Sequence, residues 1–338
     1  MSQLVTASEE NLAKLAKLLV QGEVVAFPTE TVYGLGADAS NPEAVAKIYA
    51  IKNRPSFNPL ISHYSSGDKA WIDVIPSKLA YKLAEKFWPG PLTMILPKSK
   101  NSRISSLATA GLDCAAVRVP VHPVAMRLLE KLDIPVVAPS ANPSTKLSPV
   151  STEHVMKSLG SKLDWVLDGG ECSIGIESTV IDLTTESPVI LRAGVITEEE
   201  ITAVILSELG GRRHCEERSN PVLLKTGSLR PLAPQDGNSL KSPGMMEKHY
   251  APNVKLRLSI NDPQPNEALL AFGSENIPQG FSFVKNLSAE GSLQEAASNL
   301  FKYLHELDAM NVSGIAVMPI PNEGIGIAIN DRLRRAAM

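Results

Sequence analysis

The sequence FPTETVYGLG, at residues 27–36, carries most of the information about this fold. A short apolar run, Val24–Phe27, leads into it and predicts a buried strand. Pro28 ends that strand, because proline has no backbone N–H for a sheet ladder. Two threonines, a glutamate and a tyrosine then fill one turn, and two glycines close it. Since α/β proteins place ligand-contacting groups at such strand ends, the segment predicts a binding turn.

Apolar periodicities after this segment, and in front of it, predict a mixed α/β fold. Ser8 can cap a helix over residues 9–20, and a second helix begins at Asn41-Pro42 and ends at Pro55. Short apolar runs alternate with helical patterns further along. The predicted strands cover residues 59–64, 92–97, 115–120, 136–141, 165–168, 178–183 and 189–192, and the further helices cover 77–87, 123–131, 151–158 and 197–206.

The chain changes character over residues 207–250, which hold paired glycines, paired arginines and several prolines without any sustained periodicity. Such a composition is typical of a linker. We therefore predict two domains, residues 1–206 and 251–338, on either side of it. In the second domain the expected strands cover 268–272, 281–285 and 314–320, and the expected helices cover 292–309 and 326–336.

Composition and charge exclude several classes of protein. The 338 residues are 43% hydrophobic and carry a net charge of −3. Up to residue 206 there are 19 basic and 22 acidic residues, and beyond it 14 of each. Neither half has the basic excess of a domain that neutralises phosphates, so direct tRNA binding is not expected.

The spacing of the cysteines and the lack of a signal-peptide or membrane-spanning pattern predict a cytoplasmic protein. Cys114, Cys172 and Cys215 are too widely spaced for a metal site or a disulfide framework. The N-terminus lacks a signal-peptide pattern, and no apolar run reaches membrane-spanning length.

Several motifs in order resemble one family. FPTETVYGLG and KNRPSFNPL (52–60) are joined by VRVPVHP (117–123), APSANPSTKLSP (138–149), IESTVIDL (176–183) and SPGMMEKHYAP (242–252). Together these resemble the YrdC/Sua5 family, the L-threonylcarbamoyladenylate synthases, in its longer Sua5 form. The resemblance implies a twisted open mixed sheet of the YrdC type with helices, plus a smaller Rossmann-like α/β domain at the C-terminus.

The candidate nucleotide site rests on cations and hydroxyls. Lys52 and Arg54 either complement a helix dipole or bind phosphate, and the residues alone leave both open. The segment 138–144 is either an ordinary Ser/Asn/Pro turn or a nucleotide loop. By resemblance, ATP contacts are expected from Lys52, Arg54, Asn58, Cys114, Ser140, Asn142, Ser148, Arg192 and Tyr250.

The candidate amino-acid site centres on Arg118, an arginine inside an apolar strand that must find an anion. A structural salt bridge and a ligand carboxylate both satisfy that need. His63 likewise reads as a structural histidine or a ligand contact. By resemblance, the L-threonine contacts are Thr31, His63, Arg118, Ala138 and Ser178.

The resemblance also implies a reaction. L-Threonine, bicarbonate and ATP give L-threonylcarbamoyladenylate, pyrophosphate and water, and the product passes to the enzyme that modifies adenosine 37 of tRNA. Mg²⁺ is expected on the ATP phosphates, with no protein metal site, and no catalytic side chain is assigned. The linker either folds over the nucleotide as a lid, with Tyr250 and Lys248 facing it, or acts as an inert tether.

Two other functions remain open at the level of sequence. An RNA-binding module is one, although the acidic balance disfavours it. A carbamoyl-transfer domain of the hydrogenase-maturation type is the other, but this chain lacks the cysteine pairs of such proteins. The glycines of Gly324-Ile325-Gly326 lack the third glycine of a dinucleotide fingerprint, so we interpret them as the start of a helix.

Overall fold

The computed structural model describes residues 2–210, 249–258 and 262–338 of the chain. Most of the predicted linker, with Lys248 and Cys215, lies outside these described residues. His249 and Tyr250, at its C-terminal end, lie inside them.

The first part of the chain contributes ten strands to one mixed sheet. They are β1 (Gln3–Val5), β2 (Val25–Phe27), β3 (Gly34–Asp38), β4 (Ile61–His63), β5 (Leu92–Pro97), β6 (Cys114–Arg118), β7 (Val136–Val137), β8 (Trp165–Leu167), β9 (Thr179–Asp182) and β10 (Val189–Arg192). In the described residues their order is β1-β8-β2-β3-β7-β4-β6-β5-β9-β10, with parallel and antiparallel pairs. The mixed α/β prediction is confirmed.

Helices pack on this sheet and cover its apolar faces. They are α1 (Glu9–Val20), α2 (Pro42–Lys52), α3 (Gly67–Asp73), α4 (Lys78–Phe87), α5 (Pro123–Glu130), α6 (Thr152–Leu159) and α7 (Glu198–Gly210). Their start signals act as predicted, since the side chains of Ser8 and Asn41 accept hydrogen bonds from the first turns of α1 and α2. Helix α2 ends three residues before Pro55, because Asn53 adopts a left-handed conformation with φ 50°.

The segment FPTETVYGLG contains the turn that joins the antiparallel strands β2 and β3. Its glycines belong to β3, which pairs antiparallel with β2, so the expectation of a turn throughout is wrong at this end. A Cβ on Gly36 would lie 2.6 Å from the ring of Phe27, so the close crossing requires glycine. The turn itself is held by Thr29, whose hydroxyl donates to the carbonyl oxygen of Val32 at 2.6 Å.

The C-terminal part forms a smaller parallel sheet with two helices. Its strands are β11 (Lys255–Leu258), β12 (Glu267–Ala271), β13 (Phe283–Asn286) and β14 (Gly314–Val317), in the order β11-β14-β12-β13, and its helices are α8 (Leu293–Ala309) and α9 (Ile325–Ala336). All of its strand pairs are parallel. This confirms the second α/β unit, and the exact boundaries at residues 206 and 251 stay a prediction.

The two units are in direct contact. Lys302 of α8 forms an ion pair with Glu171 at 2.9 Å, and Lys146 bonds the amide oxygen of Asn253 at 2.8 Å. No helix among the described residues is long and apolar enough to cross a membrane.

Candidate functional site

A cavity of about 40 Å³ lies where the turn after β2 meets the ends of β4, β6, β7 and β10. Backbone bonds bring these segments together: the amides of Tyr33 and Leu35 donate to the carbonyl oxygens of Pro149 and Pro139. The cavity is lined by Thr31, Val32, Arg54, Ile61, His63, Arg118, Ala138, Pro139, Ser140, Glu177, Ser178, Arg192, His249 and Tyr250.

All five candidate threonine contacts line this cavity, although they come from five separate segments. Arg118 is at the centre and is 3% exposed. Its guanidinium donates to the hydroxyl of Thr31 at 3.0 Å and to the carboxylate of Glu30 at 2.6 Å. The structure therefore contains the salt bridge that the sequence left open, and it also points the same arginine into the cavity.

His63 is neutral in this setting. Its ring Nδ1 lies 3.1 Å from the carbonyl oxygen of Ile61, and the side chain is buried. Burial, helped by the positive charge of Arg118, lowers the pKa of His63 to about 3. A neutral imidazole at physiological pH can exchange hydrogen bonds with a ligand without adding charge.

Ser178 joins the amino-acid contacts to the candidate nucleotide contacts. Its hydroxyl lies 2.8 Å from that of Thr93, and the guanidinium of Arg192 donates to the Ser178 hydroxyl and carbonyl oxygens, each at 3.0 Å. Arg192 is 6% exposed, and burial lowers its pKa. The residue before β9 and the last residue of β10 thus present a hydroxyl and a cation to the same cavity.

Of the nine candidate ATP contacts, four line the cavity: Arg54, Ser140, Arg192 and Tyr250. Arg54 donates to the carbonyl oxygens of Asn58 and Pro59 at 3.2 and 3.1 Å, and burial lowers its pKa to about 10. Within the described part of the chain, no carboxylate forms an ion pair with Arg54. Its guanidinium lines the cavity, where it can bind an anionic ligand.

The other five candidates do not line the cavity. Lys52 is 1% exposed and its ammonium donates to the backbone carbonyls of Ser140 and Asn142, so it supports the 138–144 loop from behind. Burial lowers the pKa of Lys52 well below its usual value. Asn58 and Ser148 are buried beside the lining, and Cys114 begins β6 opposite Pro97. Contacts of these five with ATP stay predictions.

Sequence reasoning missed Glu177 and His249 as wall residues. Glu177 accepts a hydrogen bond from the hydroxyl of Ser148 at 2.5 Å and pairs with Arg332 at 3.2 Å. The available signal was its position in IESTVIDL, where a carboxylate interrupts an apolar run. His249 is 7% exposed, its Nδ1 has no hydrogen-bond partner among the described residues, and burial lowers its pKa to about 3.

Tyr250 closes the cavity from the side of the C-terminal unit. Its ring is 1% exposed, 5.5 Å from the ring of Phe301 and 4.0 Å from that of His249. Its φ of 63° places an aromatic residue in the left-handed region, which is unusual and is tolerated where packing enforces it. Burial raises the pKa of its phenol to about 12, so the hydroxyl stays protonated.

The site gathers buried guanidinium groups, hydroxyls and a neutral histidine, which suits an anionic ligand with hydrogen-bonding groups.

Two family models match the chain: one described as "Telomere recombination", of the Sua5, YciO and YrdC proteins, over residues 17–194, and one described as "Threonylcarbamoyl-AMP synthase, C-terminal domain" over residues 196–338. The chain belongs to the Sua5/YrdC family. The family prediction made from the motifs is confirmed.

Relatives in the Sua5/YrdC family match over nearly the whole chain. The threonylcarbamoyl-AMP synthase of Pyrococcus abyssi is 38% identical over 95% of this chain and 92% of its own length. That of Bacillus subtilis is 38% identical over 98% and 94%. Among solved structures, P. abyssi Sua5 complexed with L-threonine has a TM-score of 0.84 and 35% identity, covering 99% of this chain and 98% of its own.

Proposed function

We propose that this protein is a threonylcarbamoyl-AMP synthase, which makes L-threonylcarbamoyladenylate and pyrophosphate from L-threonine, bicarbonate and ATP. The observation that carries the proposal is the convergence of all five candidate threonine contacts on one cavity that Arg54, Arg192 and Tyr250 also line. The full-length relatives named for this activity support it.

Each group around the cavity suits one part of an amino-acid substrate. The guanidinium of Arg118 can bind the carboxylate of threonine, because planar N–H donors match a carboxylate. Thr31, His63 and Ser178 can form hydrogen bonds with its amine and hydroxyl groups. A site that pairs a substrate hydroxyl in this way discriminates strongly against analogues lacking it.

The reaction needs orientation and charge neutralisation more than a nucleophilic side chain. The amine nitrogen of threonine forms a C–N bond with bicarbonate, which gives a carbamate and releases water. A carbamate oxygen then bonds to the α-phosphorus of ATP, and the bond from that phosphorus to the bridging oxygen of pyrophosphate breaks. Arg54 and Arg192 would balance the phosphate charge as the new bond forms. We assign no general base.

Magnesium would reach the site on the nucleotide. Among the described residues, no group of three or more histidine, cysteine, aspartate or glutamate side chains could hold a metal. Glu177, the carboxylate that lines the cavity, already accepts hydrogen bonds from Ser148 and Arg332. A cavity wall with a single carboxylate that is already hydrogen-bonded suits an ion held mainly by phosphate oxygens. Mg²⁺ bound in that way would neutralise the charge of the leaving pyrophosphate.

The product would serve tRNA modification. A mixed anhydride of a carbamate and AMP is a reactive acyl donor, so we propose that it passes to the enzyme that transfers the threonylcarbamoyl group to adenosine 37 of tRNA. The near-neutral charge of both halves supports a chain that does not itself hold the tRNA. We place this reaction in the cytoplasm.

The test is pyrophosphate release from ATP and bicarbonate with threonine, serine or valine. We expect the highest rate with threonine, a lower rate with serine and a rate at least about 100-fold lower with valine. Omitting bicarbonate is the control and should abolish release. No release with any amino acid would reject the function, whereas equal rates for valine and threonine would reject only the assignment of the pocket.

A further inference from the structure

Arg332 reaches the wall of the cavity from the C-terminal unit. It lies on α9, is 1% exposed, and is among the largest fully buried side chains of the described residues. Its Nε donates to the carboxylate of Glu177 at 3.2 Å, and its other nitrogens reach the carbonyl oxygens of Ala193 and Glu177. Its guanidinium carbon is also 5.8 Å from the centre of the Tyr250 ring.

Glu177, the partner of Arg332, is a carboxylate in the wall of the cavity where the phosphates of ATP are proposed to bind. It lines the cavity together with Arg192 and is 6% exposed. Burial acts to raise the pKa of Glu177, but the positive charges of Arg332 and Arg192 outweigh burial and hold that pKa below its usual value. The carboxylate is therefore ionised. It pairs with Arg332, while Arg192 bonds the adjacent Ser178 and lines the same cavity.

We propose that Arg332 is a positioning residue for the nucleotide site: by pairing with Glu177 it keeps the guanidinium of Arg192 directed to the phosphates of ATP. This inference rests on the proposed function. It assigns the C-terminal unit a direct part in the site, through a side chain 155 positions along the chain from its partner.

The role of Arg332 follows from competition for Arg192 between two anions, the carboxylate of Glu177 and the phosphates of ATP. A buried carboxylate that loses its partner keeps the cost of desolvation and must recover it from another cation. Arg192 lines the same cavity as Glu177 and donates hydrogen bonds to Ser178, the next residue in the chain, so it is the arginine placed to respond. Without Arg332, Glu177 would draw Arg192 toward itself, and each ATP molecule would have to displace it. Binding of threonine, through Arg118 and its neighbours, would be much less affected.

The first experiment compares Arg332→Met with Arg334→Met in the full-length chain. Arg334 is on the same helix but exposed, so its replacement controls for changes on α9. For Arg332→Met we expect the KM for ATP to rise by about tenfold or more, while the KM for threonine changes by less than about threefold. Arg334→Met should match the wild-type protein in both constants. Equal rises in both KM values, or no rise for ATP, would overturn the inference.

A double variant separates positioning from simple loss of structure. In Arg332→Met/Glu177→Gln the competing charge is absent, while the glutamine can still accept the hydrogen bond from Ser148. The KM for ATP should return to within about threefold of the wild-type value, although two buried groups are now changed. If Arg332→Met does not fold by itself, the double variant decides: a tenfold raised KM for ATP would contradict the role. A wild-type protein without pyrophosphate release would instead reject the proposed function.

Discussion

Arg118 shows what can be predicted at the level of one residue. An arginine between Val117 and Val119 in an apolar strand needs an anion, and the structure supplies Glu30 at 2.6 Å. The sequence identified the need but not the partner, because Glu30 lies 88 positions away on the turn after β2. Arg332 and Glu177 could not be paired from the sequence for the same reason. Local patterns identify a buried charge, and only the fold identifies its counter-charge.

Separate roles for Arg118 and Arg54 lead to a prediction. Arg118→Ala should weaken the use of threonine more than that of ATP, and Arg54→Ala should do the reverse. Loss of a charge-assisted hydrogen bond costs about 1.5–3 kcal/mol, which corresponds to a rise of about 10-fold to 150-fold in the affected KM. Saturation curves for both substrates with each variant measure the effect.

The control for this pair is Arg127→Ala. Arg127 lies on α5 in an exposed ion pair with Glu9, which contributes little to stability. The Arg127→Ala variant should leave the saturation curves for threonine and ATP unchanged. If Arg118→Ala and Arg54→Ala shift the curve of the same substrate, the division of the cavity into two subsites is wrong.

At the scale of elements, long periodic segments were predicted well, and some of the short ones were missed. Helix α1 begins and ends at the predicted residues, and its regularly spaced Leu12, Leu15 and Leu19 are buried. The short strands β1 and β11 and the seven-residue helix α3 were not predicted. Strand β1 has three residues and pairs with β8, about 160 positions away, so no local pattern marks it. Strand β3 was missed because its two glycines are typical of a turn.

The contact between helices α6 and α8 predicts a pH dependence. His154 of α6 and His305 of α8 stack with their ring centres 3.9 Å apart, and His305 Nε2 lies 3.1 Å from the carbonyl oxygen of Ser148. Burial, then the neighbouring charges of His305, Lys157 and Lys302, lower the pKa of His154 to about 3. Burial also lowers the pKa of His305, although the backbone bond and Asp308 oppose this.

The lowered pKa values of His154 and His305 determine how the stability of the folded protein depends on pH. In the unfolded chain both histidines bind protons near pH 6.5, whereas in the folded protein burial lowers the pKa of both, that of His154 to about 3. Stability is therefore complete above about pH 6.5 and is lost progressively as the pH falls toward 3. We expect the Tm of the wild-type protein to fall by several degrees between pH 7 and pH 5. In His154→Gln/His305→Gln this fall should be smaller, and an equal fall in both proteins would contradict the prediction.

At the scale of the whole molecule, the family and the α/β class followed from the motifs, but the arrangement of the units did not. Tyr250 packs on Phe301 of α8 while it lines the cavity with Arg54 and Arg192. The cavity of about 40 Å³ holds only a few water molecules. ATP and threonine are far larger, so we expect the substrates to displace the segment of His249 and Tyr250, which would close again over them.

The last prediction tests this closure in the full-length protein. Limited proteolysis between residues 207 and 248 should slow by at least about threefold when ATP and threonine are both present, because a closed segment is cut less readily than an open one. Threonine or ATP alone should protect less. A chain ended after residue 210, where α7 ends, lacks both Tyr250 and Arg332. It should release pyrophosphate at least about tenfold more slowly than the full-length chain. Equal cleavage with and without substrates, together with a full rate for the shortened chain, would reduce residues 207–250 to a tether.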